Sequence, residues 1–262
     1  ADPWTPQEEE IQGRRVLTCW GMASGFKNTG LGTGANDSSG AVLRLLPAGR
    51  LQILTAASEV GQGMNTTLQL IAAEVLGIIP DNINVYLMDT ELTPDGGPTT
   101  ASRQTYVTGN AVKAAALELK KNIVALLVGQ YECEPCVIQF GADGVRLGEE
   151  LIGWQSIFDL LTKTPQGTSV EARYNAPKTL PLELGGRIHV AYGFGAQAVK
   201  ISLDPESGEV KVLQVIAASD GGRVINPLGF QSQVEGGVVM GVGHGLLEEF
   251  RLDNGIILSD RI

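Results

Sequence analysis

The sequence predicts an α+β protein of two sub-domains, each with mixed β-sheets flanked by helices. Three observations carry this. Short runs that suit strands, such as the apolar Leu51–Ala56 and the segment Ser169–Asn175, are bounded by Gly, Pro, Asn and Ser. Two longer segments repeat apolar residues at helical spacing: Met64, Leu68, Ile71, Ala72, Val75 and Leu76 in one, and Val112, Ala115, Ala116, Leu119, Ile123, Leu126 and Leu127 in the other. A strand, a polar or glycine-rich loop and a helix follow one another three times along the chain.

Residues 1–13 are acidic and contain proline, which predicts a poorly fixed lead-in. Arg15–Met22 suits a strand, and Phe26–Ser39, rich in Gly, Asn, Thr and Ser, suits a loop. Gly40–Leu46 and Leu51–Ala56 read as a hairpin. At Ser58–Gly63 the chain turns through Gly61-Gln62-Gly63 into a helix that ends before Pro80-Asp81. Ile83–Met88 is a short strand, Asp89–Ser102 a long loop, and Arg103–Val128 a long helix. These elements make the first expected sub-domain, 14–128.

The second, 129–262, opens with a hairpin around Ala142-Asp143-Gly144 and a short helix at Trp154–Lys163. Strands follow at Ser169–Asn175, Ile188–Leu203 and Glu209–Ala218. A last helix is expected over Gln231–Phe250 despite Gly236, Gly237, Gly241, Gly243 and Gly245. Each interior glycine costs a helix roughly 1 kcal/mol relative to alanine. Gly237, Gly241 and Gly245 lie four apart, and this spacing makes a smooth ridge along which another backbone can come close.

Composition excludes several function classes. The 262 residues are 43% hydrophobic, enough for a real core. Lys and Arg total 19 against 29 Asp and Glu, a net charge of −10 that gives no general attraction to nucleic acid or anionic membranes. No apolar run approaches the roughly 18 residues of a membrane span. Cys19, Cys133 and Cys136 are too few for a disulfide scaffold, which points to a reducing, cytoplasmic setting. Residue 1 is alanine, and Ile256–Ile262 stops in an apolar, strand-like run. Both ends therefore suggest a piece of a longer polypeptide.

The first helix start presents unpaired N–H groups and a positive dipole end beside Gly61 and Gly63, where a polar or anionic ligand can sit. Gln62 adds a donor and an acceptor. A βα turn that binds nothing is the competing reading. Thr99, Thr100 and Ser102 precede the second helix, where their hydroxyls can cap it or hold a ligand oxygen. Gln233 stands near the expected start of the last helix, as Gln62 does in the first.

Other motifs fail. Thr66 stands where a dinucleotide fingerprint needs its third glycine, and no Gly-Lys-Ser/Thr occurs. Cys133-Glu-Pro-Cys136 has the spacing of half a zinc site, but His189 and His244, the only histidines, are far away in sequence. A reactive thiol pair and two ordinary loop cysteines remain open there. No protein metal ligands are expected.

Five collinear segments, Glu59–Thr66, Gly97–Gln104, Thr108–Val112, Asp220–Pro227 and Gln233–Gly243, together resemble the molybdenum-binding subunit of the xanthine dehydrogenase/aldehyde oxidase family, the molybdenum hydroxylases. The resemblance spans most of residues 14–262. It implies a molybdopterin, in bacteria often as its cytosine dinucleotide, whose dithiolene carries molybdenum. It also implies water-dependent hydroxylation of an N-heteroaromatic or aldehyde substrate, with electrons leaving through iron–sulfur and flavin centres on partner subunits. Carried over by position, Gly61, Gln62, Gly63 and Gln233 contact the pterin. Thr100, Ala101 and Ser102 pass beneath the metal and phosphate, with Ala101 nearest the metal, and Arg103 and Gln104 continue that loop.

Two departures matter. Gly193-Phe-Gly-Ala196 imitates an earlier family segment but lies inside a strand pattern. The family's base glutamate, in a Gly-x-Gly-Glu segment, falls beyond Ile262, and Gly243-His-Gly245 is followed by Leu246. No catalytic residue is therefore named. The expectation is a chain inactive alone that supplies part of a cofactor site. It would be completed by another molybdopterin-binding segment or subunit. The alternative is a non-catalytic phosphate-ligand module or structural remnant.

Overall fold

The computed structural model describes residues 2–11 and 13–259, so Asp260–Ile262, the end of the expected terminal strand run, lies outside the described residues. In chain order the elements are β1 (Gln7–Ile11), β2 (Arg14–Thr29), β3 (Ser38–Leu45), β4 (Leu51–Thr55), α1 (Met64–Leu76), β5 (Ile83–Leu87) and α2 (Gln104–Tyr131). Next come β6 (Ile138–Gly141), β7 (Gly144–Leu147), β8 (Glu150–Gly153), α3 (Trp154–Leu161), β9 (Ser169–Asn175) and β10 (Ala191–Leu203). The chain continues with β11 (Val210–Asp220), α4 (Pro227–Leu246), β12 (Leu252–Asp253) and β13 (Ile256–Ile257). The fold is α+β, as expected.

The chain divides differently from the sequential split at 128/129. Asn28–Tyr192 forms one unit, and Ala1–Lys27 with Gly193–Ile262 forms the other. The reason is strand pairing. β9 returns to β3 in antiparallel register, Ser39 opposite Tyr174 and Leu43 opposite Val170, so residues past 128 complete the sheet begun at residue 38. Sequence order alone carries no signal for that long-range partner.

The central unit is built on the sheet β5-β4-β3-β9. β3 and β4 are the expected hairpin, with Val42 opposite Leu54. α1 crosses over from β4 to β5, which run parallel, Ile53 beside Val85. Of the stripe predicted on α1, Met64, Leu68, Ala72 and Leu76 bury fully, and Ile71 and Val75 are partly buried against the core. α2 buries Val107, Ala111, Val112, Ala115, Ala116, Leu119, Ile123 and Leu127. All but Val107 of these meet Ala41, Leu43, Leu45, Leu51 and Ile53 of the sheet in one core. A second small sheet, β6-β7-β8, adds Val145 and Ile152, and α3 adds Trp154, Ile157 and Leu161. The Trp154 indole N–H donates to the carbonyls of Gly141 and Ala142 at 3.1 and 3.0 Å.

The other unit holds the sheet β1-β2-β10-β11 and α4. β1 corrects the expected lead-in: Gln7–Ile11 pairs with Arg14–Thr18, because the Thr18 hydroxyl and the Lys200 ammonium both reach the Glu9 carboxylate. β2 runs to Thr29, further than expected. α4 starts at Pro227 and ends at Leu246, four residues earlier than predicted at each end. The Asn226 side chain accepts the Gly229 N–H at 3.0 Å, and Pro227 takes the first helical position, which together fix that start. α4 buries none of its residues, and Leu228, Val239 and Met240 are exposed.

Candidate cofactor-binding site

β4 ends at Thr55, and the chain reverses through Ser58–Gly63 before α1. Gly61 and Gly63 take φ of +101° and +81°, a left-handed region that side chains resist, and nothing lies within 4 Å of where either Cβ would stand. The turn's backbone is therefore open to an approaching molecule.

The turn is held from within. The Glu59 carboxylate accepts the N–H groups of Gly61 (2.9 Å), Gly63 (3.1 Å) and Asn65 (3.1 Å). Burial pushes the Glu59 pKa up, but the backbone N–H groups of Asn65, Gly63, Gly61 and Met64 outweigh it and hold the carboxyl below its ordinary 4.5. This corrects the expectation that the α1 N-terminus is vacant for an anion: the chain's own carboxylate fills it. Gln62 closes the turn on the other side. Its amide nitrogen donates to the Ser58 carbonyl at 2.8 Å, and its oxygen accepts the Val60 N–H at 2.7 Å. One N–H and one lone pair of the Gln62 amide remain for a ligand.

The second loop lies against the first. The Ser58 N–H donates to the Thr99 hydroxyl at 2.8 Å. Thr99 does not cap α2; it also accepts from the Gln104 amide at 2.9 Å. Thr100 and Ser102 are exposed, and no side chain caps α2 at Arg103. Ala101 and Ser102 both have φ of +51°, consecutive left-handed residues without glycine. Such strain costs on the order of 1–2 kcal/mol per residue and collects at functional sites. The Gly30 N–H holds this turn through the Ala101 carbonyl at 3.0 Å.

Two candidates turn inward. Arg103 has no exposed surface, and its guanidinium is spent on Asp37 and on the carbonyls of Ser38, Gly96 and Pro98. Gln104 is 5% exposed and uses its amide on Pro98, Thr99 and Thr108. Both side chains are thus committed to hydrogen bonds inside the protein.

Gln233 belongs to the other unit. It is exposed in the second turn of α4, not at the helix start, because Asn226 and Pro227 begin the helix earlier. Gly237, Gly241 and Gly245 have nothing within 4 Å of an added Cβ, so the predicted ridge is bare among the described residues. Cys133 donates weakly to the Leu127 carbonyl at 3.9 Å, and Cys136 is exposed. No cluster of three or more His, Cys, Asp or Glu suited to a metal occurs among the described residues. No helix among them is long and apolar enough to cross a membrane.

Sequence reasoning gave no role to Glu59 and Asp37. Glu59 stands just before the Gly-Gln-Gly turn, in reach of the amides that glycines leave open, and that position was a usable signal. Asp37 lies in a polar loop 66 residues from Arg103, and nothing local marks it.

Comparison with known proteins places this chain in a family. The molybdopterin cofactor-binding domain model matches residues 2–262. Subunit gamma of the 6-hydroxypseudooxynicotine dehydrogenase complex of Paenarthrobacter nicotinovorans is 31% identical over 251 residues, 94% of this chain and 30% of that protein. A probable xanthine dehydrogenase component of Bacillus subtilis is 31% identical over 246 residues, covering 92% of this chain and 32% of that one. The chain thus spans about a third of the length of the curated relatives it matches. In fold, it resembles reconstituted CO dehydrogenase from Oligotropha carboxidovorans, with a TM-score of 0.79 at 24% identity over 94% of this chain and 31% of that one. With the model matched from residue 2 to residue 262, the chain belongs to the molybdopterin cofactor-binding domain family.

Proposed function

We propose that this chain is a cofactor-holding part of a molybdenum hydroxylase of the xanthine dehydrogenase/aldehyde oxidase type, inactive by itself. The observation that carries the reading is the hydrogen-bonded joining of two open turns, Gly61–Gly63 and Thr100–Ser102, through Ser58 and Thr99 in one unit.

The residues fit a molybdopterin in a particular sense. Glu59 fills the α1 amides, so the cofactor's anionic end does not belong there. The α2 start has no side-chain cap and carries the exposed Thr100 and Ser102 hydroxyls, which suit phosphate oxygens. Gln62, with one donor and one acceptor to spare, suits the neutral amide-like edge of the pterin. Gly61 and Gly63 admit the flat ring system close to the backbone. When bound, the group supplies a redox-active molybdenum that takes an electron pair from a substrate carbon, water being the oxygen source. The residues of this chain hold and orient it. They ligate no metal.

The cofactor is the mononucleotide or the cytosine dinucleotide form, the substrate an N-heteroaromatic or an aldehyde, and the setting the cytoplasm. Iron–sulfur and flavin centres sit on partner subunits. The bare glycine ridge of α4 suits close packing by the remaining molybdopterin-binding segment or subunit.

The test is the molybdenum and pterin content of the assembled complex, by plasma mass spectrometry and by fluorescence of the oxidised pterin. Gln62→Ala and Ser102→Ala are expected to lower both together. An active preparation free of both overturns the proposal. Unchanged activity and content in both variants favours the remnant reading.

A further inference from the structure

We propose that Arg103 and Asp37 form a positioning pair that fixes the Ala101–Ser102 turn against the cofactor; this rests on the reading of the site given above. The pair lies wholly inside the central unit. Arg103 is fully buried and Asp37 is 8% exposed. The Arg103 Nε donates to Asp37 Oδ1 at 2.6 Å, and Nη1 donates to the Gly96 and Pro98 carbonyls at 2.8 Å each. Nη2 donates to the Ser38 carbonyl at 2.7 Å. The second Asp37 oxygen accepts the Leu31 N–H at 2.9 Å, and its carbonyl accepts the Ala176 N–H at 2.8 Å.

One ion pair therefore ties together the glycine-rich segment at Leu31, the start of β3, the loop at 96–98, the chain after β9 and the residue that opens α2. Ala101 and Ser102, the two left-handed residues, are the positions immediately before Arg103. Their carbonyl-side anchor, Gly30, adjoins Leu31, which Asp37 holds. Left-handed alanine and serine persist only where the surroundings over-determine them. Here the over-determination comes from below the turn, through a guanidinium fork whose four bonds fix its plane. A lysine offers one ammonium and cannot reach the same four acceptors in their fixed directions. Arg103 touches no ligand; it acts through the two residues whose exposed face meets it.

The experiment uses the cofactor-loaded complex with Arg103→Lys and, as a milder change, Asp37→Asn; Lys121→Ala, an exposed change on α2, is the control. Two readouts are taken: amide hydrogen exchange at Gly30 and at residue 103, whose N–H groups donate to the Ala101 and Thr100 carbonyls at 3.0 and 3.2 Å, and the molybdenum EPR signal after reduction with dithionite. The expected result is exchange at these two amides faster by about tenfold or more, an altered EPR line shape with molybdenum retained, and no change in the control. Unchanged exchange at both amides in both variants overturns the proposal. So does faster exchange with an unaltered EPR signal, or protection lost evenly across α1 and α2 together with molybdenum, which marks a folding role alone. A wild-type complex without molybdenum and pterin refutes the underlying reading whatever the exchange shows, whereas unchanged exchange in a complex that holds both refutes the positioning role alone.

Discussion

Replacing Glu59 by glutamine tests how the first turn is held. The carboxylate accepts three backbone N–H groups, from Gly61, Gly63 and Asn65. Glutamine keeps one acceptor oxygen, so the bonds to Gly61 and Gly63 survive in neutral form, while an amide group facing Asn65 cannot accept. Losing the charge at a helix start and one charge-assisted bond there costs about 1–2 kcal/mol in total. The assay is urea unfolding of the wild type and the variant across a pH series. The sign follows from the direction of the shift. The folded pKa lies below the ordinary 4.5, so the stabilisation is fully present above 4.5 and is lost as pH falls through the folded value. The gap between the two proteins is therefore expected at pH 7 and should close under acid, where wild-type Glu59 is itself protonated. No gap at pH 7, or a gap unchanged at acid pH, refutes the capping account.

Further outcomes are expected. Leu119→Ala, in the middle of the α2 stripe and fully buried, should destabilise the protein by about 2–5 kcal/mol in denaturant titration. Ala101→Gly relieves a left-handed alanine and should leave stability equal or raised by up to about 1 kcal/mol; a clear loss argues against the strain. A Cβ added at Gly241 meets no atom within 4 Å, so Gly241→Leu should not cost the isolated chain stability. Assembly with its partners, read by size-exclusion chromatography of the complex, should fail if the ridge is an interface.

The helices of the central unit were legible because their stripes are local: Leu68, Ala72 and Leu76 sit at helical spacing and all bury. Strand pairs joined by short turns, as in β3 and β4, were legible for the same reason. What failed was long-range. The partnership of β9 with β3 spans more than a hundred residues, and the pattern of neither strand names the other. The site was half legible. The glycines of the first turn and the hydroxyls of the second were visible as motifs. Which helix start was already filled depended on where one glutamate side chain folds. Arg103 matched the family loop by position, but nothing local showed that its side chain would be buried against Asp37.

The most direct test of the central claim is an experimental structure of the complete complex with its cofactor bound. The account predicts a molybdopterin whose pterin edge lies within hydrogen-bond distance of the Gln62 amide and whose phosphate faces Ser102 and the start of α2. A cofactor bound elsewhere, with both turns facing only solvent or protein, would contradict it.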